Sequence, residues 1–144
     1  SEMCIRDSIQ GQATSCANSI GQAASIEALV GDQSTVDEMI VVFKQRRDYM
    51  VKLLNDLPKV DCLIPGGAFY AFPSFKYYIG KKYKNKTIKD SFDLCEIFLN
   101  EAYVATISGD GFGAPGYVRF SYAIDEKSIK DGLERIKKII KVIE

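Results

Sequence analysis

At 144 residues and 47% apolar content, the chain is long enough for one domain with a real core. Its 19 basic and 19 acidic residues cancel, so no global field recruits nucleic acid or an anionic membrane. Histidine is absent, which excludes every Ser–His or Cys–His nucleophile pair within the chain.

Cys4, Cys16, Cys62 and Cys95 lack the spacing of zinc or iron–sulfur ligands, so no metal is expected. They read as reduced thiols of a cytoplasmic protein, three of them partly buried. No apolar run approaches the length of a membrane span, and no secretory signal is visible.

Ser1 to Ser8 shows neither a helical nor a strand period that continues beyond Ser8, and reads as a leader outside the fold. Ile9 to Asn18 is small and polar. Asn18 or Ser19 can cap a helix, and Ser19 with Gln22 has capping-box spacing. The helix then runs through Ile20, Ala23, Ala24, Ile26, Ala28 and Leu29, with Gly31 as a left-handed stop. A second helix restarts at Ser34, with Thr35 and Glu38 again at capping-box spacing and an apolar series Val36, Ile40, Phe43, Met50, Leu54, Leu57. About 23 residues make a helix roughly 34 Å long, ended by Pro58. That length suggests a bridge to something outside the domain.

Val60–Ile64 and Ala68–Phe72 read as strands around a Pro65-Gly66-Gly67 turn. Residues 76–89 are basic with interleaved tyrosines, a composition that could stack on single-stranded nucleic acid. With no second basic patch, a solvated loop explains it better. Asp90–Ala102 reads as a helix with Phe92, Cys95, Phe98, Leu99 and Ala102 inward. A last helix, capped by Asp125, carries the stripe Ile129, Leu133, Ile136, Ile140, Ile143.

Between these helices the run Val104–Ile107 enters a glycine-rich loop, and the loop feeds a strand, Tyr117–Ala123. In that strand Val118, Phe120 and Tyr122 face one way, Tyr117, Arg119, Ser121 and Ala123 the other. Arg119 is thus a fixed fork of donors on the less apolar face. It is either an arginine with a structural carboxylate partner or a clamp for a ligand carboxylate. Residues 111–116 formally spell G-x-G-x-x-G, but a strand comes next instead of a helix, so the dinucleotide reading fails.

Helices with strands between them, and helices on one face, indicate an α+β layer: a small antiparallel or mixed sheet covered by helices, with one long bridging helix.

Five pieces, in order, resemble one family. They are Asn18-Ser19-Ile20-Gly21-Gln22, Gln45-Arg46-Arg47-Asp48, Gly66-Gly67-Ala68-Phe69-Tyr70, the loop Val104–Gly116, and Tyr117-Val118-Arg119-Phe120-Ser121-Tyr122-Ala123. Together they look like the C-terminal part of class I/II aminotransferases, pyridoxal-phosphate enzymes of the aspartate aminotransferase type. The likeness covers residues 9–144. It implies residues 9–31 as a helix from the end of the large domain and residues 32–144 as the small domain.

It also implies that Arg119 binds the α-carboxylate of the amino-acid or 2-oxo-acid substrate. Phe69 resembles the family's aromatic beside the substrate, and residues 14–18, Asn18 included, resemble a loop reaching the partner subunit's site in a homodimer. Ser108 stands where the family's loop usually has proline, which implies some loss of loop rigidity.

The Schiff-base lysine of the family lies in a serine–lysine segment followed by G-x-R-x-G. The nearest imitation here, Ser74-Phe75-Lys76, is followed by Tyr77-Tyr78-Ile79-Gly80, which does not match. The resemblance therefore places that lysine, and most groups that hold pyridoxal phosphate, upstream of Ser1. Transamination, carbon–sulfur β-lysis on the same scaffold, and a non-catalytic carboxylate-binding domain remain open at this level.

Overall fold

The structure, a computed structural model, describes residues 2–144. It divides into two units, Ser1–Asp37 and Glu38–Glu144.

In the first unit, helix α1 spans Glu2–Thr14. It runs unbroken through Ser8, so the segment read as a leader is helical over its described residues; Ser1 lies outside them. None of its side chains is buried, which is why no period announces it: periodicity in sequence records a buried face. Helix α2, Ser19–Val30, is capped by Asn18, whose Oδ1 accepts the Gly21 amide at 2.7 Å. The Gln22 side chain reaches back to the Ala17 carbonyl instead of closing a box on Ser19. Gly31 is not left-handed, having φ −73°. Its amide donates to Glu27 O at 2.8 Å, and a Cβ there would run into that same carbonyl. Glycine is therefore required for close approach, not for handedness.

Helix α3, Ser34–Asn55, crosses the boundary between the units. Its start is set by Asp32, which accepts from Ser34 N (3.0 Å) and Ser34 Oγ (2.6 Å), not by a Thr35–Glu38 box. These bonds hold the Asp32 carboxyl below its ordinary range. Only Met50, Val51 and Leu54 of α3 are buried.

In the second unit, Tyr70–Ala71 (β1), Ile107–Ser108 (β4) and Val118–Ser121 (β5) form a three-stranded antiparallel sheet in the order β1-β5-β4. Lys82–Tyr83 (β2) and Lys86–Thr87 (β3) form a separate antiparallel hairpin. Helices α4 (Ser91–Ala102) and α5 (Glu126–Ile140) complete the layer. The result is the expected α+β arrangement, with every strand pair antiparallel.

The expected strand 60–64 reduces to one bridge, Asp61 with Ser74. On the edge away from Ser74, the Asn55 side chain takes both the Cys62 amide (2.8 Å) and carbonyl (3.0 Å), so those backbone groups are satisfied without a strand partner.

The core joins Leu54, Phe75, Ile88, Leu94, Phe98, Val118, Tyr122, Ile129 and Ile136, all essentially inaccessible. Each such side chain contributes about 1.5–3 kcal/mol relative to exposure. Asp125 caps α5 through Ser128 N and Oγ, and α5 buries Ile129, Leu133, Ile136, Ile139 and Ile140. Helix α4 differs from expectation: Leu94, Ile97, Phe98 and Ala102 are buried, whereas Phe92 and Leu99 are exposed. Of the cysteines, Cys62 is buried and Cys95 partly so, while Cys4 and Cys16 are exposed. Two, not three, are therefore shielded.

No helix among the described residues is long and apolar enough to cross a membrane.

Candidate functional site

The alternation of β5 and its two registers build the site. Val118 and Phe120 are buried in the core, so Arg119 and Ser121 occupy the opposite face. Tyr70 pairs with Ser121 and Ile107 with Arg119, which brings both partners onto that face. Tyr70, Ala105, Thr106, Ile107, Arg119 and Ser121 line one open cavity of about 190 Å³.

Arg119 is half-buried. Its Cζ lies 4.3 Å from the Tyr70 ring centroid and 4.8 Å from that of Phe112. No carboxylate pairs with it among the described residues. A structural partner is thereby removed as the explanation of this arginine. What remains is a guanidinium held against aromatic rings, with its donors unspent beside a cavity.

The loop after β4 is braced from several sides. A short 3-10 turn, Gly109–Phe112, comes directly after Ser108. Ser108 Oγ accepts the Asp110 amide at 3.2 Å and donates to the Asp110 carboxylate at 2.7 Å, two bonds that proline could not make. The Ser108 hydroxyl, followed by that of Ser91, holds the Asp110 carboxyl below its ordinary range. The Gly109 amide donates to Tyr117 O at 2.8 Å, and a Cβ at Gly109 would collide with that carbonyl and with Ala114 O. Gly113 and Gly116 have φ of 70° and 80°, which L side chains rarely adopt. The Gly116 amide donates to the buried Ser91 hydroxyl at 2.8 Å. The chain then enters β5 directly, so the G-x-G-x-x-G spelling meets no helix.

Phe69 takes a neighbouring place. It lies one residue before Tyr70, just outside β1, and its ring packs on the Tyr70 ring with centroids 4.5 Å apart. It also lines a groove with Phe43, Arg47 and Tyr122. It does not line the Arg119 cavity and meets Arg119 only by way of the Tyr70 ring. Asn18 belongs to the first unit, where its carboxamide oxygen caps α2. Tyr70 and Phe112 escaped the sequence reading, although strand pairing with Ser121 would have placed Tyr70 beside Arg119.

The tyrosine-interleaved basic stretch forms the 3-10 turn Lys76–Tyr78 and the β2–β3 hairpin. Lys84 pairs with Glu101 (2.6 Å), and Lys86 with Asp93 (3.0 Å) and Glu96 (2.7 Å). Lys76 lies over Tyr117 and Lys81 over Tyr77. These cations are spent on acids and rings of the same unit, as suits a solvated connection.

No lysine and no carboxylate lines the Arg119 cavity. The set can grip a carboxylate, but it offers neither a covalent anchor for an aldehyde cofactor nor an acidic partner for a pyridine nitrogen. No cluster of metal-binding side chains occurs among the described residues.

The sequence model of the family described as aminotransferase class I and II matches residues 4–136. Aspartate aminotransferase of Rhizobium meliloti (strain 1021) is 43% identical over 129 residues, covering 89% of this chain and 32% of the relative. The crystal structure of the Rhizobium meliloti aspartate aminotransferase superposes with a TM-score of 0.88 at 41% identity, over 94% of this chain and 34% of that one. Aspartate aminotransferase from Thermus thermophilus with maleate superposes at 0.76 and 30% identity, over 92% and 32%. The chain spans about a third of the length of the curated relatives it matches. A sequence model matched over nearly the whole chain, together with these superpositions, places the chain in the class I and II aminotransferase family.

Proposed function

We propose that this chain supplies the substrate-carboxylate end of a pyridoxal-phosphate-dependent aminotransferase of the aspartate aminotransferase type. The parent protein moves an amino group between an amino acid, aspartate among the candidates, and a 2-oxo acid. The observation that carries this is Arg119: a half-buried guanidinium without a protein carboxylate, facing a cavity. Its fork receives the α-carboxylate in two parallel charge-assisted hydrogen bonds and so fixes the substrate's orientation.

Relatives named as aspartate aminotransferases support the reaction class. The relative solved with maleate, a dicarboxylate, supports the ligand chemistry. Pyridoxal phosphate supplies the electron sink in this family. In our reading it is held by parts of the protein that the relatives possess and this chain does not span. The same reading takes the parent as a cytoplasmic homodimer in which Asn18 approaches the partner subunit's site.

The test is a chimera in which this chain replaces the corresponding third of the Rhizobium meliloti enzyme. Amino transfer from aspartate is measured in the chimera and in its Arg119→Ala and Arg119→Lys variants. Two charge-assisted bonds of about 1.5–3 kcal/mol each give a loss of roughly 10²–10⁴ in kcat/KM for Arg119→Ala. Lysine keeps the charge and loses the fork, so Arg119→Lys falls between the two. An Arg119→Ala chimera within about threefold of its parent would refute the assignment.

A further inference from the structure

We propose that Phe112 and Tyr70 are positioning residues for Arg119, forming a two-ring cradle that fixes the plane of its guanidinium and leaves its donor edge free for one planar carboxylate. This deepens the function proposed above and rests on that reading.

An arginine side chain is long and rotamer-rich, and a guanidinium that can swing binds a carboxylate only after losing that freedom. Protein carboxylates are the usual brace, and Arg119 has none among the described residues. Two rings take that role instead, with centroids 4.3 Å and 4.8 Å from Cζ. Tyr70 and Phe112 make no ring contact with each other, so each meets the guanidinium independently of the other. Rings attract the cation without consuming an N–H donor. An acidic brace would do the opposite: it would occupy the fork and repel the incoming anion.

Each ring is itself fixed. Tyr70 sits in β1, paired to β5 at Ser121, and packs against Phe69 at 4.5 Å. Phe112 ends the 3-10 turn braced by Ser108, Gly109 and Gly113, and meets the edge of Phe72 at 6.3 Å. Phe72 in turn stacks on Tyr117 at 5.2 Å. The loop's glycines therefore have a task other than phosphate binding: they allow the backbone path that delivers a half-exposed phenyl ring to Arg119.

The experiment uses the full chain, labelled with 15N, and maleate as the probe. In ligand-free protein the Arg119 Nε–H order parameter is measured for wild type, Phe112→Leu, Phe112→Trp and Tyr70→Leu. Leucine at either position is expected to lower it toward that of a solvent-exposed arginine, and tryptophan at 112 to preserve it. Maleate titration is then expected to show an affinity loss of about tenfold for Phe112→Leu, recovery to within about threefold for Phe112→Trp, and no saturable shift for Arg119→Gln.

Order parameters that stay at the wild-type value in both leucine variants overturn the cradle, whatever the titration shows. Loss of binding in Arg119→Gln with unchanged affinity in Phe112→Leu also overturns it, while leaving the carboxylate role of Arg119 intact. Maleate binding that survives Arg119→Gln overturns the carboxylate role, and with it the purpose of the cradle. Lowered order parameters together with the tenfold loss and its rescue establish the proposal.

Discussion

Replacing Ser91 by alanine is expected to loosen the loop that carries Phe112. Ser91 is fully buried, and its hydroxyl accepts the Gly116 amide at 2.8 Å across 25 positions of sequence. Gly116 has little room to respond: its φ is 80°, and its own carbonyl accepts the Phe75 amide at 2.7 Å. The helix cap is a separate matter, because Asp90 accepts the Asp93 amide at 3.0 Å and is untouched by the substitution. Removing the acceptor strands a buried N–H, which costs about 1–3 kcal/mol, and alanine recovers about 0.5 kcal/mol in helix propensity. The net loss is about 0.5–2.5 kcal/mol. With an m-value of about 1.5 kcal/mol per molar urea, the unfolding midpoint falls by roughly 0.3–1.7 M at constant m. The Gly116 amide should also exchange with solvent about tenfold faster, while amides in α5 keep their pattern. A midpoint within about 0.2 M of wild type, together with unchanged Gly116 exchange, would show that the Ser91 bond does not hold the loop.

Two further outcomes can be measured on the same chain. Asp125 is held below its ordinary value of 3.8 by hydrogen bonds from the Ser128 side chain and backbone. A depressed carboxyl contributes stability above that value and loses it as pH falls through the lower, folded value. Asp125→Asn keeps a capping oxygen, so urea stability at pH 7 should change little. The fall in stability below pH 3.8 should become shallower, and an identical acid limb in both proteins counts against the assignment. Thiol labelling with a disulfide reagent at pH 8 should separate the cysteines. Cys4 and Cys16 are exposed and react first, whereas burial pushes the Cys62 thiol up to about 11 and also raises Cys95. Rapid labelling of Cys62 in the native chain would contradict its burial.

Where one side of an element is buried and the other is not, the sequence carried the answer. The alternation of residues 117–123 put Val118, Phe120 and Tyr122 in the core and left Arg119 outside it. Asn18 and Asp125 were readable as caps because the physics of a cap is local. Helix α4 was harder: Phe92, Leu94, Cys95, Ile97, Phe98 and Leu99 surround nearly the whole helix, so the period alone could not choose a face. The choice was made by α5 and β4, which α4 packs against. The strand expected at 60–64 is cut to a single bridge at Asp61, and on its outer edge the Asn55 side chain satisfies Cys62 in place of a neighbouring strand. The carboxylate clamp was visible as a residue but not as a site. Its surroundings depend on pairing Tyr70 with Ser121 and Ile107 with Arg119, and pairing registers are not written in either strand alone.

The strand order β1-β5-β4 also bears on how the chain assembles. The central strand is the last of the three to be synthesised, and it lies 47 residues beyond the end of β1, at 118 against 71. Until it arrives, β1 and β4 have no ladder partner, and Tyr70, Ile107 and Arg119 share no surface. Closing that span carries a loop-entropy cost before any pairing rewards it, so sheet formation waits on a long-range encounter while the helices can form early. The cavity comes into being in the same event that completes the sheet. A chain that has lost its central strand has therefore lost the site as well, with no half-built version of it left exposed on a folded scaffold.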